Sequence, residues 1–238
     1  TKDVVRALRA RVALEKEDYQ GAISAATSLI GSGTYPLMTD AAAYADMWLH
    51  DNGTEAIWQF AMIKGQETGP NTLGSAFSGI IDVLPRPSYI PTTTVLNLYD
   101  QENDIRYAAY FTYDSIDAQS VSDFMLTYCK KWPGNPELYD GKSNNVNKTK
   151  AFRISEMYLI AAEAYAMSGD ETNASKILNE LKAARIKGWS EKTYSGNALM
   201  KEIQNEYVRE LFAEDPHIFN TKRWKVGLNR STSEAQVV

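Results

Sequence analysis

The chain has 238 residues and a formal net charge of −5, with 25 Lys and Arg residues against 30 Asp and Glu. This acidic balance argues against nucleic-acid binding, which requires a basic surface, so no nucleic acid is expected as a partner. No apolar run approaches the roughly 18 residues that would span a bilayer. The single cysteine, Cys129, excludes an intramolecular disulfide.

The first predicted element is a helix pair over residues 2–32. Asp18 stands four residues before Ala22, where an aspartate can cap the second helix of the pair. The apolar face of that second helix has helical spacing and comprises Tyr19, Ala22, Ile23, Ala26, Leu29 and Ile30. Gly31 and Gly33 are expected to end it. Because this glycine pair follows a helix, a phosphate-binding loop is disfavoured.

Residues 34–150 form an irregular insert that holds seven of the eight prolines. A short strand is predicted within 54–60, a capped helix over 91–99 with a continuation over 104–111, and a strand within 119–131. A long, proline-punctuated insert on a rigid scaffold is a common place for a binding site. The sequence therefore predicts that ligand binding lies in this insert.

A second helix pair is predicted over 151–185 and repeats the first. Its first helix has one apolar face, made by Ile154, Met157, Tyr158, Ala161, Ala162 and Tyr165. Gly169 can take the left-handed conformation that ends a helix, and Asp170 can cap the next one. Asp170 precedes Ala174 by four residues, as Asp18 precedes Ala22. Segments 2–30 and 154–185 are therefore interpreted as two copies of a tetratricopeptide-type hairpin.

A third helix pair completes the predicted fold. Residues 196–213 have an apolar face of one residue per turn, and a further helix is expected from Asp215 and Pro216 to Gly227. The fold class is mainly α, with tetratricopeptide-like stacked helix pairs and a long irregular insert that carries a few short strands. We expect a single domain over 1–238, built of the helix pair 2–32, the insert 34–150 and the helix pairs 151–230.

The polar residues do not predict an active site or a metal site. Glu156 and Glu163 lie seven residues apart on one helix face, and a structural ion-pair role, with Arg153, Arg209 or Arg223 as partners, is favoured over paired-carboxylate catalysis. A second conceivable carboxylate pair is Glu102 and Asp104. His50, His217 and Cys129 are isolated in sequence and lack metal-ligand spacing. No catalytic residue, metal or cofactor is therefore expected.

Two tryptophans are interpreted as core residues. Trp224 is expected to pack against Tyr207 or Phe212, with Arg223 bridging to Glu210 or Glu206. Trp58 is placed in the core because apolar Ile57 and Phe60 flank it on a short strand.

The ligand-binding candidates are aromatic, amide and basic residues of the insert. An aromatic ring can cover the apolar side of a sugar while polar groups bond its hydroxyls. One group lies in a Pro- and Gly-rich loop and a second in the segment 130–141. In chain order the candidates are Asn71, Phe77, Arg86, Tyr89, Trp132, Asn135 and Tyr139.

Several ordered segments of the chain resemble the SusD/RagB-like family. Residues 153–185 and 205–224 look like the C-terminal half of these proteins, residues 6–37 are similar to their central helix pair, and residues 98–111 and 130–141 to their middle section. The resemblance covers nearly all of 1–230. It implies a cell-surface nutrient-binding lipoprotein of Bacteroidota-type bacteria. Such a protein binds glycans, or in some cases peptides, without cleaving them, and passes them to a TonB-dependent outer-membrane transporter.

The chain departs from this family pattern in length. Family members are longer and carry a lipidated cysteine near their start, whereas Cys129 is internal. The chain is therefore expected to be a fragment or a processed product, with membrane attachment only through a lipid anchor outside it. Two alternatives stay open: a repeat scaffold that grips a peptide or protein in its concave groove, and a glycan hydrolase.

Overall fold

A computed structural model describes residues 2–65, 72–78, 80–81, 84–85, 87–116, 124–139, 141, 146–214, 217–227 and 234–236. As predicted, these residues are mainly helical with a few short strands. In chain order the helices are α1 (Lys2–Glu15), α2 (Tyr19–Gly31), α3 (Ala41–Leu49), α4 (Leu73–Phe77), α5 (Thr93–Leu96), α6 (Ile105–Tyr110), α7 (Ile154–Met167), α8 (Glu171–Arg185), α9 (Gly196–Glu210) and α10 (His217–Arg223).

The strands form three antiparallel pairs among the described residues. They are β1 (Ala56–Gln59) with β6 (Lys150–Arg153), β2 (Ile80–Ile81) with β3 (Leu84–Pro85), and β4 (Phe111–Ile116) with β5 (Phe124–Cys129). The strands predicted within 54–60 and 119–131 are thus confirmed as β1 and β5.

The chain divides into two compact units. Unit 1 comprises Thr1–Thr39, Thr54–Gln59 and Lys150–Gly227, and unit 2 comprises Asp40–Gly53, Phe60–Thr149 and Leu228–Val238. Unit 1 holds the predicted helix pairs, and unit 2 holds most of the predicted insert. The expectation of a single domain over 1–238 stays a prediction.

Unit 1 contains the two predicted hairpins, α1–α2 and α7–α8, with matching turns. The Asp18 carboxylate accepts a hydrogen bond from the Gly21 amide at 3.0 Å, and Asp170 accepts one from the Asn173 amide at 3.1 Å. The residue before each cap is left-handed, Glu17 with φ of 59° and Gly169 with φ of 86°. Both aspartates therefore satisfy amide groups that a helix start leaves unpaired.

Helix α7 is the central helix of unit 1. It packs against α1, α2, α8 and α9, and its Met157, Leu159 and Ala161 are fully buried. Ala7, Ala10, Ala22 and Ala26 of the first hairpin are fully buried as well. Side chains this small let neighbouring helix backbones approach closely, so the alanine-rich sequence of the repeats follows from the helix packing.

The placement of Trp58 in the core is wrong. Residues alternate between the two faces of a strand, and on β1 this alternation buries Ile57 and leaves Trp58 41% exposed. The Trp58 ring stacks on Phe152 of β6 with 6.4 Å between centroids. Phe60, which follows the strand, is 47% exposed.

A buried ion cluster joins four parts of unit 1. Arg153 lies at the end of β6 and Arg185 at the end of α8, and both are essentially unexposed. Each guanidinium donates to Glu55 Oε2, at 2.9 and 2.8 Å, and to Glu210 Oε1, at 2.9 Å. Arg153 also binds both oxygens of Glu214, at 2.8 and 2.7 Å. Such groups are stable in a protein interior only when paired and hydrogen-bonded.

The core of unit 2 is aromatic. It includes a helix in the segment that is predicted from the sequence to be an irregular insert. Helix α3 begins after Asp40, which caps it by accepting from the Ala43 amide at 2.8 Å. Its Trp48 packs edge-to-face on Tyr110 and Trp132, at 5.8 and 5.2 Å between centroids. Unit 2 thus has a packed helix, α3, where the sequence analysis expected irregular chain.

Four of the remaining helices follow the prediction with small shifts, whereas α4 lies in a segment that was predicted to be an irregular loop. Helices α5, α6, α9 and α10 lie within the predicted segments, although α10 ends at Arg223. Within the part of the chain that the structure describes, no helix combines the length and the apolar character that crossing a bilayer requires.

Candidate functional site

An exposed aromatic pair lies at the end of α4 in unit 2. The rings of Phe77 and Tyr89, both predicted ligand-binding residues, are tilted by 43° with 5.7 Å between centroids. Tyr89 is 64% exposed and Phe77 is half-buried. Two adjacent rings of this kind offer a partly apolar surface to a ligand.

Hydrogen bonds fix the backbone beneath this pair. Thr72 and Ser75 form a reciprocal capping box at the start of α4, with side chain to amide distances of 3.1 and 3.0 Å. The amides of Ser88 and Tyr89 both donate to the Ala76 carbonyl, at 2.9 and 3.3 Å. The loop that carries Tyr89 is thereby held against the helix that carries Phe77.

Ser78 anchors the other end of α4 to the interior of unit 2. Its buried hydroxyl lies 3.0 Å from the Cys129 carbonyl and 3.3 Å from the Trp132 carbonyl. The aromatic pair is therefore carried by a capped helix whose C-terminal end is bonded to the interior of unit 2, which limits the ordering cost of binding a ligand.

Trp132 and Asn135 lie in the interior instead of at the surface. Trp132 is 1% exposed and packs on Trp48, while Asn135 is 2% exposed. The Asn135 amide donates to Asp51 at 2.9 Å, and its oxygen accepts from the Glu137 amide at 2.9 Å. Burial removes both side chains from the surface that a ligand can reach in this conformation.

The neighbouring Lys131 is also buried, and aromatic rings surround its ammonium group. Its side chain is fully buried, with Nζ 3.9 Å from the Tyr110 ring centroid and 4.3 Å from that of Trp48. A cation that faces aromatic rings at these distances is stabilised by the ring quadrupoles. The segment that follows presents Tyr139, 47% exposed, at the end of a short 3₁₀ turn, Pro136–Leu138.

Two of the seven predicted ligand residues, Asn71 and Arg86, lie outside the described residues. Among the described residues of unit 2, two exposed aromatic residues were not predicted as ligand residues. Phe60 is 47% exposed, and Tyr113 on β4 is 66% exposed. Tyr113 pairs with Thr127 in the β4–β5 ladder, and the exposed Met125 pairs with Ser115 two residues further on the same face. Burial does not alternate along residues 111–116, so the strand pattern carried no signal for the exposure of Tyr113.

The acidic residues considered for catalysis are engaged with arginines. Arg11 binds both oxygens of Glu156, at 2.7 and 2.8 Å, and Arg223 binds both oxygens of Glu163, at 2.8 and 2.9 Å. The ion-pair interpretation of these two glutamates is confirmed, with Arg223 as one of the expected partners and Arg11 as a partner that was not expected. The predicted bridge from Arg223 to Glu210 or Glu206 is wrong, since Arg223 bonds Glu163 and Glu15.

Trp224 packs as predicted against Tyr207, with 5.4 Å between ring centroids, and its indole also donates to Glu163 at 2.8 Å. In the other conceivable carboxylate pair, Asp104 is buried and binds Arg106 through both oxygens, at 2.9 and 2.7 Å.

No group suited to metal binding or thiol chemistry stands out in the described part of the chain. The described residues contain no cluster of three or more His, Cys, Asp and Glu side chains that could hold a metal ion. Cys129 is fully buried, and burial raises the pKa of its thiol to about 11. It therefore stays protonated at neutral pH and is a poor nucleophile.

The chain matches a family model and several solved structures. The model of the SusD family matches residues 102–236, which is more than half of the chain. A SusD superfamily protein from Bacteroides thetaiotaomicron superposes with a TM-score of 0.78 at 23% identity, covering 97% of this chain and 51% of that protein.

Two further structures have descriptive names. A SusD-like carbohydrate binding protein from Bacteroides vulgatus has a TM-score of 0.74 at 22% identity, over 96% of this chain and 46% of that one. Surface glycan-binding protein A from Bacteroides uniformis has a TM-score of 0.68 at 17% identity, over 99% and 52%. Identities this low establish a common fold alone.

The curated proteins give no match. The chain spans about half the length of the solved structures that it matches. The family model covers the β4–β5 ladder of unit 2 and the helices α7 to α10 of unit 1. On the strength of that match and of the shared fold, the chain belongs to the SusD family.

Proposed function

We propose that this chain binds an oligosaccharide or polysaccharide at the bacterial cell surface and does not cleave it. The observation that carries the proposal is the exposed Phe77–Tyr89 pair, mounted on a fixed helix end in a chain of the SusD family. The names of two neighbours, a carbohydrate binding protein and a surface glycan-binding protein, support the ligand class.

The chemistry of a sugar suits this surface. One face of a pyranose is lined by C–H groups and packs against an aromatic ring, while its hydroxyls bond to polar side chains at the edge. Tyr89 supplies an exposed ring with a hydroxyl, and Tyr139 supplies a second exposed ring in the same unit. Asn71 and Arg86 remain proposed as the groups that bond sugar hydroxyls.

The absence of catalysis is part of the proposal. The glutamates that could have formed a catalytic pair, Glu156 and Glu163, are each held by a two-pronged arginine contact. Both oxygens of each carboxylate already accept from a guanidinium, so neither glutamate is placed to act on a glycosidic bond.

The proposed function has a second step, in which the bound glycan is delivered to a transporter. We propose that the full-length protein lies on the outer membrane through a lipid anchor and passes its glycan to a TonB-dependent transporter. Co-purification of such a transporter with the tagged full-length protein from detergent-solubilised outer membranes tests this step. Recovery of the tagged protein without any TonB-dependent transporter would contradict it.

The binding test is a glycan screen followed by matched substitutions. Affinity electrophoresis and calorimetry against plant, host and microbial polysaccharides should identify a ligand. Tyr89→Ala should then lower the affinity by about tenfold or more, as expected for the loss of about 1.4 kcal/mol at an aromatic contact. Tyr113→Ala is the control, because it removes the same side chain at nearly the same exposure, 66% against 64%.

The outcomes separate the alternatives. Equal losses in both variants, or a loss in Tyr113→Ala alone, would refute the choice of site. Reducing ends released during incubation would identify a hydrolase. Binding of peptides but of no glycan, unaffected by Tyr89→Ala, would favour the repeat-scaffold alternative.

A further inference from the structure

The side chain of Gln236 joins two distant segments of unit 2. Its amide oxygen accepts a hydrogen bond from the Thr127 amide of β5 at 2.9 Å, and its amide nitrogen donates to the Thr127 carbonyl at 2.7 Å. The same nitrogen donates to the Pro91 carbonyl at 2.8 Å. One half-buried side chain therefore bonds to residues that lie 109 and 145 positions earlier in the chain.

The contact with Thr127 has the geometry of a sheet edge. In an antiparallel pair, alternate residues turn their amide and carbonyl groups away from the partner strand. Thr127 lies opposite Tyr113 in the β4–β5 ladder, and both of its backbone groups are turned to Gln236. The glutamine amide therefore satisfies them as the peptide group of a third strand would.

The contact with Pro91 fixes the loop that carries the exposed ring of Tyr89. Pro91 follows Tyr89 by two residues, and its carbonyl accepts from Gln236. On the other side, the amides of Ser88 and Tyr89 are bonded to the Ala76 carbonyl of α4. The segment with the ring is thus held at one end by α4 and at the other by the bridge to β5.

A second set of contacts holds the tail segment, which we define as residues 234–236. The Thr93 hydroxyl donates to the Glu234 carbonyl at 3.3 Å, and the Thr94 hydroxyl lies 3.1 Å from the Glu234 carboxylate. Both threonines belong to α5, which begins two residues after Pro91. The tail segment therefore runs beside residues 91–94 and brings Gln236 to the loop.

We propose that Gln236 is a positioning residue for the glycan site, because it ties the Tyr89 loop to the β4–β5 ladder and orders the ring before a sugar arrives. This inference rests on the proposed function and names a residue that acts on it through Tyr89. Without the bridge, the ligand would have to order the loop. Ordering the backbone of one residue lowers an equilibrium constant by about tenfold, which sets the size of the expected effect.

The sharpest substitution is Gln236→Glu, because glutamate has nearly the same shape as glutamine. Its carboxylate can still accept from the Thr127 amide, but it cannot donate and would face the carbonyl oxygens of Pro91 and Thr127. A side chain that only fills space would tolerate this change. The matched control is Gln101→Glu, which makes the same change at an exposed glutamine of unit 2.

Hydrogen exchange of the whole 238-residue chain without ligand measures the loop directly. The amides of Ser88 and Tyr89 should exchange about tenfold faster in Gln236→Glu than in the wild type or in Gln101→Glu, since they exchange when the loop leaves the Ala76 carbonyl. The Tyr44 amide of α3 should keep its wild-type protection in all three proteins. That result separates local release of the loop from a general loss of stability.

Affinity electrophoresis then connects the loop to binding. The gels contain arabinoxylan, hyaluronan or dextran, as polysaccharides of plant, host and microbial origin. In a gel that retards the wild-type chain, the affinity should fall about tenfold in Gln236→Glu and in Gln236→Ala. Gln101→Glu should be retarded as strongly as the wild type.

Two results would overturn the proposal. One is exchange at Ser88 and Tyr89 that Gln236→Glu leaves unchanged, and this measurement needs no ligand. The other is faster exchange with an unchanged affinity, which would limit Gln236 to a role in the fold. Failure of every gel to retard the wild-type chain would instead count against the glycan function itself, and the role of Gln236 in sugar binding would fail with it.

Discussion

Replacing Arg185 by methionine tests whether the buried ion cluster holds unit 1 together. The guanidinium donates two hydrogen bonds to Glu210 at 2.9 Å, one to Glu55 at 2.8 Å and one to the Met38 carbonyl at 2.8 Å. Methionine fills much of the same space but makes none of these bonds. Glu55 and Glu210, both fully buried, would then keep Arg153 but lose one of the two guanidinium groups that neutralise them.

The expected cost is about 4 kcal/mol. Removing one member of a buried ion pair typically costs about 3–5 kcal/mol, because the partner charge stays in a poorly solvating interior. For a chain of this length, each kcal/mol corresponds to a shift of about 2–4 °C in melting temperature, so Arg185→Met should lower Tm by about 10 °C. This is a large fraction of the stability of about 5–15 kcal/mol that a domain usually has.

Thermal unfolding followed by circular dichroism at 222 nm measures the effect. The matched control is Arg6→Met, which removes the same group from an exposed pair with Asp3 at 2.8 Å, where the arginine side chain is 50% exposed. Exposed pairs contribute about 0–1 kcal/mol, so the control should shift Tm by at most a few degrees. Equal shifts in the two variants would refute the reasoning that burial makes the cluster strong.

Three further predictions concern the turns and the buried thiol. Glu17→Gly should stabilise the protein by about 1 kcal/mol in urea titration, because Glu17 is held at φ of 59° where glycine is unstrained. Gly169→Ala at the equivalent turn, with φ of 86°, should destabilise it by about the same amount, and a gain there would contradict the argument. Cys129 should resist iodoacetamide at pH 8.5 in the folded protein and react after unfolding in urea, since its thiol is fully buried. Its pKa is raised from 9.0 to about 11, so its contribution to stability is complete below pH 9 and is lost as pH rises through 11. The free energy of unfolding should fall by about 2–3 kcal/mol over this pH range, and Cys129→Ala should flatten its dependence on pH. A pH profile unchanged by that substitution would exclude the thiol as the source of the loss.

The helix pairs could be predicted from the sequence because their signals are local. Asp18 and Asp170 cap helices that begin one residue later, and the apolar spacing of each helix is contained within that helix. Helix α3 was missed although its signals were also local: Asp40 stands at its start, and Tyr44, Met47 and Trp48 have helical spacing. Because prolines flank this segment, the whole of it was predicted to be one irregular insert.

The candidate site was harder to predict because burial in unit 2 depends on contacts between distant residues. Trp132 was a reasonable ligand residue by type, and only its packing on Trp48 removes it from the surface. Asn135 is likewise held by Asp51, 84 residues earlier in the chain. By contrast, Tyr89 follows two prolines in a loop, and its exposure agrees with the sequence interpretation.

The order of residues in the ion cluster has a consequence for biosynthesis. Glu55, Arg153 and Arg185 leave the ribosome before Glu210 and Glu214, which supply two of the three carboxylates. A nascent chain that stops before residue 210 has two arginines and only one of the three carboxylates that neutralise them. Unit 1 should therefore reach its full stability only after its last helices have been synthesised.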